Sequence, residues 1–185
     1  MTNHLGRLKQ WKTTENSVSN CQVGWGLVVF DYQQASEVRD AFEKYGVRYL
    51  FLGKSGAVLL GFPDTTQDVD VFVEKSLANG QNLVLALLEL GFDLTEKQKT
   101  HVETGQDFVQ LKNGPFDLDL IFAPDGIETF VEAWNRQVLV EGFRVCNLDD
   151  IIASKEASGR KKDLESLPRL RDFRDWWEKQ QHREL

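Results

Sequence analysis

Cysteine is scarce in this chain: two in 185 residues, Cys21 and Cys146, far apart and away from other metal-type side chains. That excludes a disulfide framework and a zinc cluster, and makes the cytoplasm the expected compartment. Histidine is equally sparse. His4, His101 and His182 are scattered, none in a zinc spacing, and all three read as surface residues. No run approaches the roughly 18 apolar residues of a membrane span, and the first residues, MTNHLGRLKQWKTTEN, hold no apolar signal core. There is no internal repeat and no low-complexity segment. The net charge of −7 argues against a surface that binds nucleic acid throughout. A dinucleotide fingerprint starting at Gly24-Trp25-Gly26 fails because Val29 stands where the third glycine is needed.

What is present is ordinary globular composition, 41% hydrophobic and 28% charged, enough for one domain or a domain with an appendage. Residues 1–24 are polar, a loose arm or a short helix around Leu5–Trp11. Helical spacing of Ala35, Val38, Ala41 and Phe42 predicts a helix over Gln34–Tyr45 that stops at Gly46. A second helix is expected over Ser76–Leu90, its start delayed by Gly80 and its end at Gly91. Residues 93–105 read as a polar connection. Strands are expected at Asp107–Lys112 and Phe116–Phe122 around Asn113-Gly114. A short helix over Ile127–Trp134 follows, then a small hairpin around Glu141-Gly142. Asp149 to the end reads as helical, capped by Asn147 or Asp149 and broken near Gly159 and Pro168.

The chemistry concentrates in Tyr49–Glu74, YLFLGKSGAVLLGFPDTTQDVDVFVE. Tyr49–Leu52 reads as a buried strand, Ala57–Phe62 as one or two helical turns, and Asp68–Val73 as a second strand. Alternation puts Asp68 and Asp70 on one face and Val69, Val71 and Val73 on the other. Two neighbouring carboxylates repel, and a cation between them relieves the repulsion. Hard Mg²⁺ prefers such oxygen donors. The plain alternative is the polar face of an edge strand. Phe116–Phe122 repeats the spacing with Asp117 and Asp119, and periodicity does not choose between them.

Gly53, Ser55, Asp68 and Asp70 together resemble the signature of the nucleotidyltransferase fold, the DNA polymerase beta superfamily. The pattern is similar to that of small bacterial nucleotidyltransferases, with Gly61, Thr66, Asp68 and Asp70 in matching places. Lys54 departs from a glycine and Asp64 from an arginine, the latter removing a phosphate contact. A second resemblance lies in Lys155-Glu-Ala-Ser-Gly-Arg160-Lys-Lys162-Asp163, and the two together cover about residues 46–170. Residues 155–174 carry seven Lys/Arg against four Asp/Glu, a balance of +3 in a chain of −7. The basic run also reads as a solvated helix face, since pairs such as Glu156–Arg160 explain part of it. Trp134, Trp176 and Trp177 read as packing residues.

The resemblance implies an α/β (α+β) fold with a mixed, mainly antiparallel sheet, flanking helices and a helical tail. The expected organisation is an arm over residues 1–32, a core over 33–147 and a helical segment over 148–185. The implied activity is Mg²⁺-dependent transfer of a nucleotide monophosphate from a nucleoside triphosphate to a hydroxyl of a small molecule, a tRNA end or a protein. The last two acceptors would fit a toxin–antitoxin role. Asp68 and Asp70 would hold metal. The third acid, which the resemblance assigns to Asp119, would complete the site and serve the acceptor oxygen. Gly53 would admit the triphosphate to the backbone and Ser55 would donate to it, as a phosphate ligand, a helix N-cap, or both. Lys54, Thr66, Arg160 and Lys162 would complete the nucleotide contacts. The alternative is a catalytically quiet binding protein of the same fold, an antitoxin or partner subunit, for which the Asp64 substitution is the main support.

Overall fold

The computed structural model describes Phe30 and residues 32–183. Residues 1–29 and 31, and with them the expectation of a loose arm or a short helix around Leu5–Trp11, Cys21 and His4, lie outside the described residues. In chain order the elements are α1 (Tyr32–Lys44), β1 (Tyr49–Phe51), α2 (Gly53–Leu59), β2 (Asp68–Val73), α3 (Leu77–Glu89) and α4 (Glu96–Glu103). Then come β3 (Phe108–Leu111), β4 (Asp117–Ile121), α5 (Phe130–Asn135), β5 (Val138–Val140), β6 (Phe143–Val145), α6 (Leu148–Ser158) and α7 (Lys161–Arg183).

The six strands form one mixed sheet in the order β3-β4-β2-β1-β6-β5. Pairs β1–β2, β3–β4 and β5–β6 are antiparallel, whereas β1–β6 and β2–β4 are parallel. The alternation read from β2 is realised: Val69, Val71 and Val73 are buried, and Leu118 and Leu120 are buried beside them on β4. Aromatic edges fill the core under α1, with Phe42 against Tyr49, Tyr49 against Phe51 and Phe51 against Phe143. No described helix is long and apolar enough to cross a membrane.

Several local expectations change. Residues 93–105 contain a helix, α4, not a connection. Thr95 caps it in a reciprocal box with Gln98, and Val102 is its one buried residue. Gly80 does not delay α3. Ser76 caps that helix at Leu77, and Gly80 lies inside it where α4 crosses. A β-carbon on Gly80 would sit 2.6 Å from the Glu103 Cα, so glycine is what lets the two helices touch. Pro168 does not break α7. Leu167 and Leu170 on either side are buried, and their packing offsets the backbone hydrogen bond that proline removes. Asn147 is the cap of α6, accepting from the Asp150 N–H at 2.7 Å, and Gly159 ends that helix in the left-handed region. The Asn113-Gly114 hairpin forms with a longer loop than a two-residue turn, because the ladder closes at Leu111 and Leu118. His101 is half-buried on α4. Trp134 packs against Phe130, with the Arg48 and Arg144 guanidinium groups over its ring. Trp177 packs on the core, while Trp176 stacks on Phe173 and stays half exposed.

Candidate active site

Parallel pairing of β2 and β4 sets the acids in rows. Asp68 is opposite Asp117, and Asp70 is opposite Asp119. Adjacent strands run about 4.8 Å apart, so four carboxylates share one patch of the sheet face. Each is half-buried. The two acids that periodicity left equal each stand opposite an acid of β2. Asp119 faces Asp70 across the ladder, nearer the middle of the strand, whereas Asp117 begins β4 beside Asp68. Gln110 on β3 donates to Asp119 Oδ1 at 3.0 Å.

The Asp70 carboxyl lies directly against Gly53. That residue has φ +60, and a β-carbon there would sit 2.4 Å from Asp70 Oδ2. Glycine is therefore required twice, for its backbone and for its empty side. Ser55 is fully buried. Its hydroxyl donates to the Leu52 carbonyl at 3.1 Å and accepts from the Asp70 N–H at 2.9 Å. Ser55 is thus not the N-cap. Leu52 holds that position without a side-chain bond, because the helix starts earlier than the apolar run Ala57–Phe62 suggests. Ser55 instead latches the first turn of α2 onto β2.

The electrostatics follow from this crowding. Burial, then the charge of Asp119, pushes the Asp70 carboxyl up from 3.8 to about 7, against an opposing pull from Lys155. Burial raises Asp119 as well; the bond from Gln110 opposes the rise and the Asp68 charge adds to it. Lys155 is the residue that sequence reasoning left out of the site. It is buried on α6 and donates to Asp163 Oδ1 at 2.8 Å, while Ser158 donates to Asp163 Oδ2 at 3.0 Å. The signal was present in the Lys155…Asp163 match, but nothing in the spacing showed a pair closing across Gly159.

The remaining candidates are more dispersed. Thr66 is half-buried just before β2, its carbonyl accepting from the Phe30 N–H at 2.7 Å. Lys54 is half-buried and pairs with Asp64 at 3.7 Å. Arg160 and Lys162 are exposed at the α6–α7 junction, where Arg160 helps hold Asp163 low. Among the described residues neither forms an ion pair with Asp68, Asp70 or Asp119. The basic run on α7 is largely internally compensated: Arg171 pairs with Glu156, and Arg174 with Asp149 and Asp175.

The donor set suits a hard divalent cation, since it offers carboxylate oxygens from two adjacent strands and no sulfur or imidazole. Among the described residues, no three His, Cys, Asp or Glu side chains converge as a ready-made metal cage.

This mixed sheet, with two acid-bearing parallel strands and a glycine-started helix, is consistent with the nucleotidyltransferase fold. A solved structure supports the same assignment: a lincosamide antibiotic adenylyltransferase, LnuA, with lincomycin bound. It is similar over 76% of this chain and 96% of its own, with a TM-score of 0.53 at 15% identity. No protein-family profile and no curated protein sequence matches this chain.

Proposed function

We propose that this protein is a nucleotidyltransferase that moves a nucleotide monophosphate from a nucleoside triphosphate to a hydroxyl acceptor with Mg²⁺. One observation carries the reading: the β2–β4 register sets Asp70 opposite Asp119, with the Asp70 carboxyl resting on Gly53. Asp68, Asp70 and Asp119 would hold the metal, which when bound supplies charge neutralisation to the triphosphate. Gly53, having no side chain, lets the Asp70 carboxyl rest against the first turn of α2, where the metal and the triphosphate would meet. Ser55 acts by position, fixing the Asp70 backbone. Lys155, anchored by Asp163, balances part of the carboxylate charge. Lys54 and Thr66 flank the site, and Arg160 and Lys162 form its outer basic margin. Asp119, raised by burial, would take the acceptor proton. A small-molecule hydroxyl is the acceptor class to screen first, because a net charge of −7 disfavours a polynucleotide and the similar structure is named for a small antibiotic substrate. tRNA and protein hydroxyls form the second panel.

The test is transfer of label from α-labelled nucleoside triphosphates in Mg²⁺ to such panels. Asp70→Asn and Asp119→Asn should each reduce transfer by at least about 100-fold, since losing a metal ligand outweighs the loss of its outer supports. Wild-type activity in both variants would remove these residues from the reaction.

A further inference from the structure

Asp64 occupies the loop between α2 and β2, four residues before Asp68, and two cations from different elements converge on it. Lys54, in the first turn of α2, lies 3.7 Å from Asp64 Oδ2. Arg169, from the middle of α7, donates to the same oxygen at 3.3 Å and to the Pro63 carbonyl at 2.8 Å. Its guanidinium also lies over the Phe62 ring, 5.3 Å from the centroid. Phe62 is itself buried and packed against Phe173 of α7. The Arg169 head is therefore held on three sides by one loop.

Stability does not account for this arrangement. The Arg169 side chain is 58% exposed, and ion pairs at such exposure contribute little. The contacts occupy two of five guanidinium donors among the described residues. Two cations against one carboxylate also leave the cluster net positive. Lys54 follows Gly53 directly, so the positive cluster begins one residue from the backbone that meets the Asp70 carboxyl. An anion that reaches the acidic patch through a bound cation would meet this positive cluster as well.

We propose that Arg169 and Lys54 form a polyphosphate-binding pair, with Asp64 as the positioning residue that holds Arg169 out from α7. The proposal rests on the nucleotidyltransferase reading and adds Arg169 to it. Asp64, whose identity supported a catalytically quiet protein, becomes the anchor of an imported guanidinium.

The experiment measures binding of Mg²⁺-tripolyphosphate and of MgATP by calorimetry, to the full chain and to Arg169→Gln, Lys54→Gln and Arg171→Gln. Arg171 is the control. It sits on the same helix, is similarly exposed and pairs with Glu156. Arg169→Gln and Lys54→Gln should each weaken tripolyphosphate binding roughly tenfold, the scale of one charge-assisted hydrogen bond. Arg171→Gln should stay within twofold, and all melting temperatures should stay close to wild type. A loss below fivefold for Arg169→Gln, an equal loss for Arg171→Gln, or no tripolyphosphate binding by the wild type overturns the proposal. Arg169-dependent tripolyphosphate binding without any nucleotidyl transfer would uphold this site and remove the proposed reaction.

Discussion

Two carboxylates of this protein, Asp70 and Asp163, have opposite surroundings. Asp163, at the α6–α7 corner, is buried. Burial alone would push it up, but bonds from Lys155 and Ser158 overcome that and hold it below the ordinary range. Asp70, on β2, has Asp119 opposite, Asp68 two residues away and Gly53 beneath. Among the described residues the charge of Lys155 and then the Ser55 backbone N–H oppose the rise, and it still reaches about 7. One acid is held by its partners, the other at the fold's expense. Buried ionisable groups perturbed by like charges, with no internal partner to match them, are characteristic of sites rather than of scaffolds.

The sharpest way to break the contrast is at the satisfied end. Asp163→Asn strands the Lys155 ammonium in a buried setting and should cost about 3 kcal/mol, measured by urea unfolding at neutral pH. A cost below about 1 kcal/mol would mean that the corner is more hydrated than its packing suggests.

A smaller effect separates two glycines with nearly equal backbones. Gly53 and Gly159 have φ of +60 and +61, but only Gly53 has a side-chain neighbour within 4 Å. Gly159→Ala should cost the backbone term alone, about 1 kcal/mol. Gly53→Ala must also displace the Asp70 carboxyl and should cost about 2 kcal/mol or more. Equal losses would show that Asp70 swings aside freely.

The most diagnostic effect depends on pH. Asp70 titrates near 3.8 as an ordinary aspartate and at about 7 in the fold. A group raised on folding stabilises the native state fully below its unfolded value, and that contribution is lost as pH rises through the folded value. Asp70→Asn should therefore match wild type in melting temperature near pH 4 and exceed it progressively from pH 5 to pH 8, in metal-free buffer. A constant offset across that range would remove the carboxylate repulsion from the account.

Much of this was legible in the chain. Alternation over Asp68–Val71 placed β2, which runs on through Phe72, buried on the acid face, to Val73, and the glycine stops placed the ends of α1 and α3. Asp119 was singled out by the resemblance, where periodicity left it level with Asp117. What escaped notice was local polarity and distant contact. Helix α4 buries only Val102, so it carries no apolar stripe, although the Thr95-x-x-Gln98 box was there to be read. The contacts Lys155–Asp163 and Arg169–Asp64 depend on how α6 and α7 return to the sheet, and the second spans 105 residues of sequence. Pro168 misled because a sequence rule weighs the lost backbone bond and not the buried leucines beside it.

The strand order carries a consequence for how the molecule is made. β1 is a central strand, and its second edge is closed by β6, through Phe51 with Val145 and the Cys146 N–H to the Phe51 carbonyl at 2.9 Å. On the ribosome that edge emerges long before its partner. For the interval in which nearly a hundred residues are added, an apolar strand, Tyr49–Phe51, has an unpaired side open to any passing β-edge. A nascent chain halted between β4 and β6 should therefore be the species that chaperones hold, and release should coincide with the exit of Val145.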